Sequence, residues 1–157
     1  MSKILEEVKK LLPENADLTE SGFEGANIVL YTRNPEFFLD NRGAVKTIVD
    51  TIKKRVELRP DPSLQVEQAK AEILIKKIIP KEAGVEEMFF DPARSVVIIE
   101  VEKPGLAIGK SGDLLKEIRK QALWVPIIRR SPPIKSALID NIRTVLYENS
   151  DYRKKFL

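Results

Sequence analysis

The sequence predicts an α+β protein built from two similar small units rather than one larger domain. Three observations carry this reading. A faint internal repeat runs through most of the chain, each copy shows the same order of helical and strand periodicity, and Pro60-Asp61-Pro62 stands between the copies as a short, stiff linker. The 157 residues suit one ordinary domain or two small ones, and a 43% apolar composition is enough for a core.

The repeat is defined by residue type more than by identity. At an offset of 67, Leu12-Pro13 corresponds to Ile79-Pro80, Ala16 to Ala83, Leu18 to Val85, Glu20 to Glu87 and Phe23 to Phe90. Two extra residues near Ala93-Arg94 change the offset to 69. It then pairs Ile28 with Val97, Leu30 with Ile99, Pro35 with Pro104, Leu39 with Ile108, Gly43 with Gly112, Val49 with Ile118 and Val56 with Val125. The division this predicts is a first unit over 1–61, a second over 62–134 and a C-terminal helix over 135–157.

Each element has a local reason. Ile4, Leu5, Val8, Leu11 and Leu12 recur at helical spacing until Pro13 stops them. Residues 18–23 read as a strand ended by a turn at Gly25, and 27–32 as a second strand, apolar from Ile28 to Tyr31 and so fully buried. Asn34 and Pro35 open a short helix as N-cap and first helical residue. A turn over 40–43 leads to a helix ending near Lys54, with Val45, Ile48, Val49 and Ile52 inward, and 55–58 closes the unit as a strand. The second unit repeats this with a helix over 63–79, strands over 85–90 and 95–101, helices over 105–108 and 113–121, and a strand over 123–129. The order is α-β-β-α-α-β twice. Over 136–157, Leu138, Ile139, Ile142, Val145 and Leu146 make an amphipathic helix that lacks a terminal glycine, as if cut before a further domain.

Composition removes whole classes of chemistry. There is no His and no Cys, which excludes Ser-His-Asp and Cys-His catalysis, His-based metal sites, zinc knuckles and disulfides. Composition leaves open a carboxylate-only metal site or a Lys-based nucleophile, but no catalytic residue, metal site or cofactor is expected in this chain. The charged N-terminus is not a signal peptide and no apolar run approaches a membrane span, so a soluble, cytoplasmic protein without membrane contact is expected. The net charge of +3 hides an asymmetry. Between Lys103 and Lys135, eight basic residues face only Asp113 and Glu117. Such a window reads either as a polyanion site or as a solvated lysine-rich face.

The sharpest local signal is Gly109-Lys110-Ser111-Gly112, a GxxG turn between two predicted helices. Glycines lack Cβ and let another backbone approach, and the following helix turns its N-terminal N–H groups and positive dipole end toward the gap. Lys110 adds a mobile charge and Ser111 a hydroxyl. The spacing is not that of a P-loop, and a GxxG taken alone is more often a plain helix–helix turn.

Set within α-β-β-α-α-β, preceded by Ile108 and followed by Leu115 and Ile118, this turn resembles the KH domain, and the helix-first, strand-last order resembles its type II, prokaryotic form. The GxxG loop of that family clamps the backbone of about four nucleotides of single-stranded RNA. The resemblance implies phosphate contacts at Gly109, Lys110, Ser111 and Gly112, with Lys116, Arg119, Arg129 and Arg130 nearby. It also implies an apolar base floor from Ile108, Leu115, Val125 and Ile127, residues equally suited to plain core. Trp124, Phe89 and Phe90 suit either base stacking or core packing, the core being favoured in a chain with few aromatics. The first unit departs from the pattern: Asp40-Asn41-Arg42-Gly43 puts a Cβ and a negative charge where the first glycine belongs. It is expected to be a degenerate KH fold, reaching RNA, if at all, through Arg42 and Lys46.

Several phrases narrow the resemblance. Tyr31-Thr32-Arg33-Asn34-Pro35-Glu36, Arg59-Pro60-Asp61-Pro62-Ser63, Phe90-Asp91-Pro92, Lys103-Pro104-Gly105-Leu106, and Trp124 followed by Arg130-Ser131-Pro132-Pro133-Ile134 occur in order. Together they are similar to the N-terminal region of the archaeal cleavage and polyadenylation specificity factor-like β-CASP ribonucleases. The resemblance covers essentially the whole chain. It implies a longer parent with a metallo-β-lactamase domain, zinc-dependent endonuclease and 5′–3′ exonuclease activity, homodimerisation through the parent, and RNA 3′-end processing with transcription termination at U-rich sequence. That zinc site needs a His-rich motif this chain lacks, so zinc and catalysis are expected only in the downstream nuclease domain. The expected partners are single-stranded RNA and that domain. A module of a different class, for protein docking or dimerisation with little RNA affinity, is the alternative.

Overall fold

In the computed structural model, which describes residues 3–132 and 137–148, the chain separates into two compact units, Met1–Leu64 and Gln65–Leu157. The first contains α1 (Lys3–Leu11), β1 (Leu18–Glu24), β2 (Asn27–Thr32), α2 (Pro35–Leu39), α3 (Arg42–Ile52) and β3 (Val56–Pro60). The second contains α4 (Gln68–Ile78), β4 (Val85–Asp91), β5 (Val96–Val101), α5 (Pro104–Ile108), α6 (Asp113–Ala122), β6 (Val125–Arg130) and α7 (Ala137–Glu148). Each unit has one three-stranded sheet whose central strand, β2 or β5, pairs antiparallel on one side and parallel on the other. The predicted helix beyond α7, and residues 133–136, lie outside the described residues.

Each core is filled by the residues that helical spacing and strand alternation point inward. In the first unit Leu5, Val8, Ile28, Leu30, Phe37, Ile48 and Leu58 form one buried cluster. In the second, Ala71, Ile75, Val97, Ile99, Val101, Ile118, Ala122 and Trp124 do the same. Trp124 is 1% exposed, its ring meets Phe90 edge-on at 5.1 Å and 80°, and its indole N–H donates to the Val66 carbonyl at 2.9 Å. Such an edge-to-face pair adds about 0.5–1.5 kcal/mol beyond its buried area. Of the two roles open to Trp124, the structure selects the core.

The backbone repeats in detail. Ala16 N–H donates to Pro13 and Ala83 N–H to Pro80, each at 3.0 Å; Asp17 and Gly84 are both left-handed; and the bulge in β1 between Leu18 and Glu20 recurs in β4 between Val85 and Glu87. The two extra residues lie in the β4–β5 turn, where residues 92–95 replace the two-residue turn Gly25-Ala26. The offset changes once more, to 70, between the paired helices. Ile48 occupies the position of Ile118, and Asp61 N–H meets the Thr32 carbonyl as Ser131 N–H meets that of Val101. Gly43 and Gly112, Val49 and Ile118, and Val56 and Val125 are therefore not equivalent, contrary to the offset of 69. The α5–α6 turn carries one residue that the α2–α3 turn lacks.

The helix expected over 63–79 begins only at Gln68. The preceding residues are held elsewhere. Asp61 Oδ1 accepts from the Ser63 N–H and hydroxyl, the Gln65 amide donates to the Pro92 carbonyl and the Ser95 hydroxyl, and Val66 N–H donates to the Ala122 carbonyl. These bonds draw the chain out of helical geometry.

Candidate nucleic-acid interface

α5 starts with Pro104 at its first turn, where the missing N–H costs nothing, and ends where Gly109 N–H donates to the Gly105 carbonyl. Gly109 then takes φ 77° and ψ −176°, Ser111 φ 57° and Gly112 φ 73°. A Cβ on Gly109 would lie 2.1 Å from Asp113 Oδ1 and 2.7 Å from Leu114 Cγ, so only glycine fits there. Gly112 has open space around it, and its requirement is the positive φ alone. Lys110 and Ser111 are both exposed at the tip. The turn is therefore a glycine-shaped backbone with a cation and a hydroxyl exposed at its tip.

One expectation for this turn is altered. The N-terminus of α6 does not offer all its donors, because the Asp113 carboxylate accepts from the Leu114 N–H at 2.9 Å and brings its own charge to the positive end of the helix. The exposed polar groups of the turn are therefore the Lys110 and Ser111 side chains rather than that N–H.

The apolar side of the groove also differs from expectation. Ile108 and Leu115 are half-buried, and Leu115 packs on the core with Ile128. Strand parity decides the rest. Pro126, Ile128 and Arg130 stand beside Val97, Ile99 and Val101, whose side chains enter the helix-facing core. Val125, Ile127 and Arg129 pair with Val96, Ile98 and Glu100 and belong to the opposite face of the sheet. The apolar side chains beside the turn on the helix-facing side are thus Ile108, Leu115 and Ile128, whereas Val125 and Ile127, expected with them, belong to the other face. Arg130 stays on the groove side and Arg129 does not. On α6, Arg119 follows Leu115 by four residues on the same flank, whereas Lys116 lies opposite the buried Ile118 on the outer surface.

In the first unit the corresponding turn is closed. The Asn41 side-chain amide donates to the carbonyls of Phe37 at 3.0 Å and Phe38 at 2.8 Å, capping α2 from below, and α3 starts at the next residue. Gly43 lies inside α3 with an ordinary φ, so the turn expected over 40–43 shrinks to Asp40 and Asn41. Arg42 and Lys46 are exposed one helical turn apart on α3.

The first unit holds a polar constellation that sequence reasoning missed. Arg59, 2% exposed, makes paired bonds to Glu24 at 2.7 and 2.8 Å and to Glu57 at 3.1 Å on both oxygens, with the Tyr31 hydroxyl 3.3 Å away. Burial disfavours its charge, but the bonds to Glu24 and Glu57 more than reverse this, holding Arg59 above its ordinary pKa. Burial raises the Tyr31 pKa against the opposing pull of Arg59. Asn34 caps α2 by accepting from Glu36 and Phe37 and ties its amide to the Asn15 carbonyl. The Thr32 hydroxyl donates to the Ala16 carbonyl and accepts from Asn34 N–H. The phrases around Tyr31–Glu36 and Arg59–Ser63 therefore serve the fold of the first unit. The alternation of Glu57 and Arg59 on one strand was the available clue.

Residues 1–65 match the family described as "Transcription termination factor FttA, KH domain", and residues 70–123 match the family described as "KH domain". The chain is a tandem KH module. Curated relatives extend the likeness across it. The chain is 40% identical over 157 residues to "Transcription termination factor FttA" of Thermococcus kodakarensis, covering all of this chain and 24% of that protein. It is 42% identical over 161 residues to the protein of the same description in Methanothermobacter thermautotrophicus, and 34% over 158 residues to that of Lokiarchaeum sp., covering all of this chain and 25% of each. The chain thus spans about a quarter of the length of the curated relatives it matches. Among the described residues, no helix is long and apolar enough to cross a membrane, and no group of three or more His, Cys, Asp or Glu residues is placed to hold a metal ion.

Proposed function

We propose that this chain is the single-stranded RNA-binding module of a longer termination factor, with the second KH unit as the binding unit. The observation that carries the reading is the open, glycine-lined turn at Gly109–Gly112 with Lys110 and Ser111 at its rim, beside the Ile108–Leu115–Ile128 floor. Phosphates would lie on the turn and splayed bases on the floor, with Arg119 and Arg130 on the flanks. The first unit would act by packing and orientation. The longer protein would be a cytoplasmic, zinc-dependent ribonuclease of the β-CASP type, acting at U-rich sites and dimerising through parts outside this chain. Its zinc would be held there too, since this chain has no His or Cys, and this chain would itself be no enzyme. The relatives' description as termination factors supports the biological setting.

A titration of U-rich single-stranded RNA at two salt concentrations tests this. With two to four phosphates held and about −0.7 per phosphate, log K against log salt should fall with a slope of roughly −1.5 to −3. The affinity should be on the order of micromolar, since one short cleft must offset the ordering of a flexible strand. Duplex RNA of the same sequence should bind more weakly because its bases cannot splay. Equal binding of duplex and single strand with a steeper slope would indicate a plain basic surface. No binding at low salt would favour the docking module instead.

A further inference from the structure

α7 packs along β4 in the second unit, yet Leu138, Ile139, Ile142 and Val145 are 68, 43, 51 and 62% exposed. Leu138, Ile142 and Val145 recur at i, i+4 and i+7 and form one stripe, with Ile139 beside it. Of the eight large apolar residues exposed among the described residues, these four share a single helix of 12 residues. Phe23, Leu39, Ile73 and Leu106 are scattered singly, which is ordinary for a protein surface; a continuous stripe is not.

Charge and size narrow what covers it. The sequence of α7 holds one basic and two acidic residues, too little positive charge to draw RNA or an anionic lipid surface. The occupant is an apolar protein surface. A helix this long extends about 18 Å, and a four-residue stripe on it buries roughly 300–400 Å² per side, about half of what a standard stable interface needs between separate molecules. Within one polypeptide the same stripe suffices, because the linked parts are already held at high effective concentration. About three quarters of the relatives' length lies outside this chain.

We propose that the Leu138–Ile142–Val145 stripe is the seat on which the remainder of the longer protein packs, fixing the orientation of the RNA-binding unit against it. The proposal rests on the chain being a section of that longer protein and is independent of which RNA it binds. The test is amide hydrogen exchange on the full-length protein, wild type and with Leu138→Ser, Ile142→Ser and Val145→Ser combined; Ile142→Asn alone serves if the triple variant does not fold. The α7 amides should be protected in the wild type and exchange at least about tenfold faster in the variant, while those of β6 keep their rate and RNA affinity changes less than about twofold. Equal α7 exchange in both proteins would overturn the proposal. So would concentration-dependent dimerisation of the 157-residue chain that the substitutions abolish, because a second copy would then be the occupant.

Discussion

The α2–α3 and α5–α6 turns occupy the same place in two copies of one fold, and they solve the exit from a short helix in opposite ways. In the first copy a side chain does it: Asn41 reaches back and satisfies two α2 carbonyls, leaving two residues between helices and no concavity. In the second the backbone does it: Gly109 and Gly112 take positive φ, the Asp113 N–H closes the turn on the Lys110 carbonyl, and the Lys110 and Ser111 side chains are exposed. A cap that consumes its carbonyls closes a site. A glycine turn leaves one. Both units keep the core, and they differ in the turn between their paired helices.

The sharpest way to break this comparison is charge reversal at each turn. Lys110→Asp with Ser111→Asp should lower affinity for single-stranded RNA by at least about tenfold, with the circular dichroism spectrum unchanged, since two carboxylates would oppose the phosphates. Arg42→Asp with Lys46→Asp should lower it by less than about threefold. Comparable losses would remove the functional asymmetry. Asn41 is unsuited to such a control, because changing it removes a structural cap.

Stability of the two glycine positions should differ in sign. Gly109→Ala meets Asp113 and Leu114 at impossible distances and a left-handed φ, and should cost about 2–3 kcal/mol in urea unfolding. Gly43→Ala, inside a helix with nothing within 4 Å of a new Cβ, should gain up to about 0.5 kcal/mol. A loss at both positions would mean that the first turn also needs its glycine.

The strands closing the two units offer a further contrast. Arg59→Ala strands Glu24 and Glu57, which are themselves partly exposed, and should cost about 2 kcal/mol. Arg130→Ala, at the exposed end of β6, should cost less than about 1 kcal/mol. Thermal unfolding of both variants checks this.

The smallest expected effect is a pH dependence confined to the first unit. Asp61 has its pKa lowered by the Ser63 hydroxyl, the Thr19 hydroxyl and the Ser63 N–H. A depressed carboxylate contributes stability above its unfolded pKa and loses it as pH falls through the folded value. Wild type should therefore lose slightly more stability than Asp61→Asn between about pH 5 and pH 3. Parallel acid titrations of the two proteins would show no contribution from Asp61 if the curves keep a constant separation.

Much of this was legible in the chain itself. Helical spacing in Ile4–Leu12, the Asn34-Pro35 helix start, the doubly buried Asn27–Thr32 strand and the inserted pair near Ala93-Arg94 each follow from local chemistry, which acts over a few residues wherever they are placed. The Gly109–Gly112 turn was legible too, because glycine enters positive φ at the least cost. Three things were decided by tertiary structure. The α2–α3 turn closed because Asn41 found carbonyls whose position depends on the helix before it. Arg59 became the centre of a buried clamp because β1 brought Glu24 across the sheet. Ile128 rather than Ile127 faces the helices because side chains alternate faces along a strand, so a single residue gained in a turn reverses which of them turn inward. That one-residue count is set by how the turn packs, and residue type on either side carries no record of it.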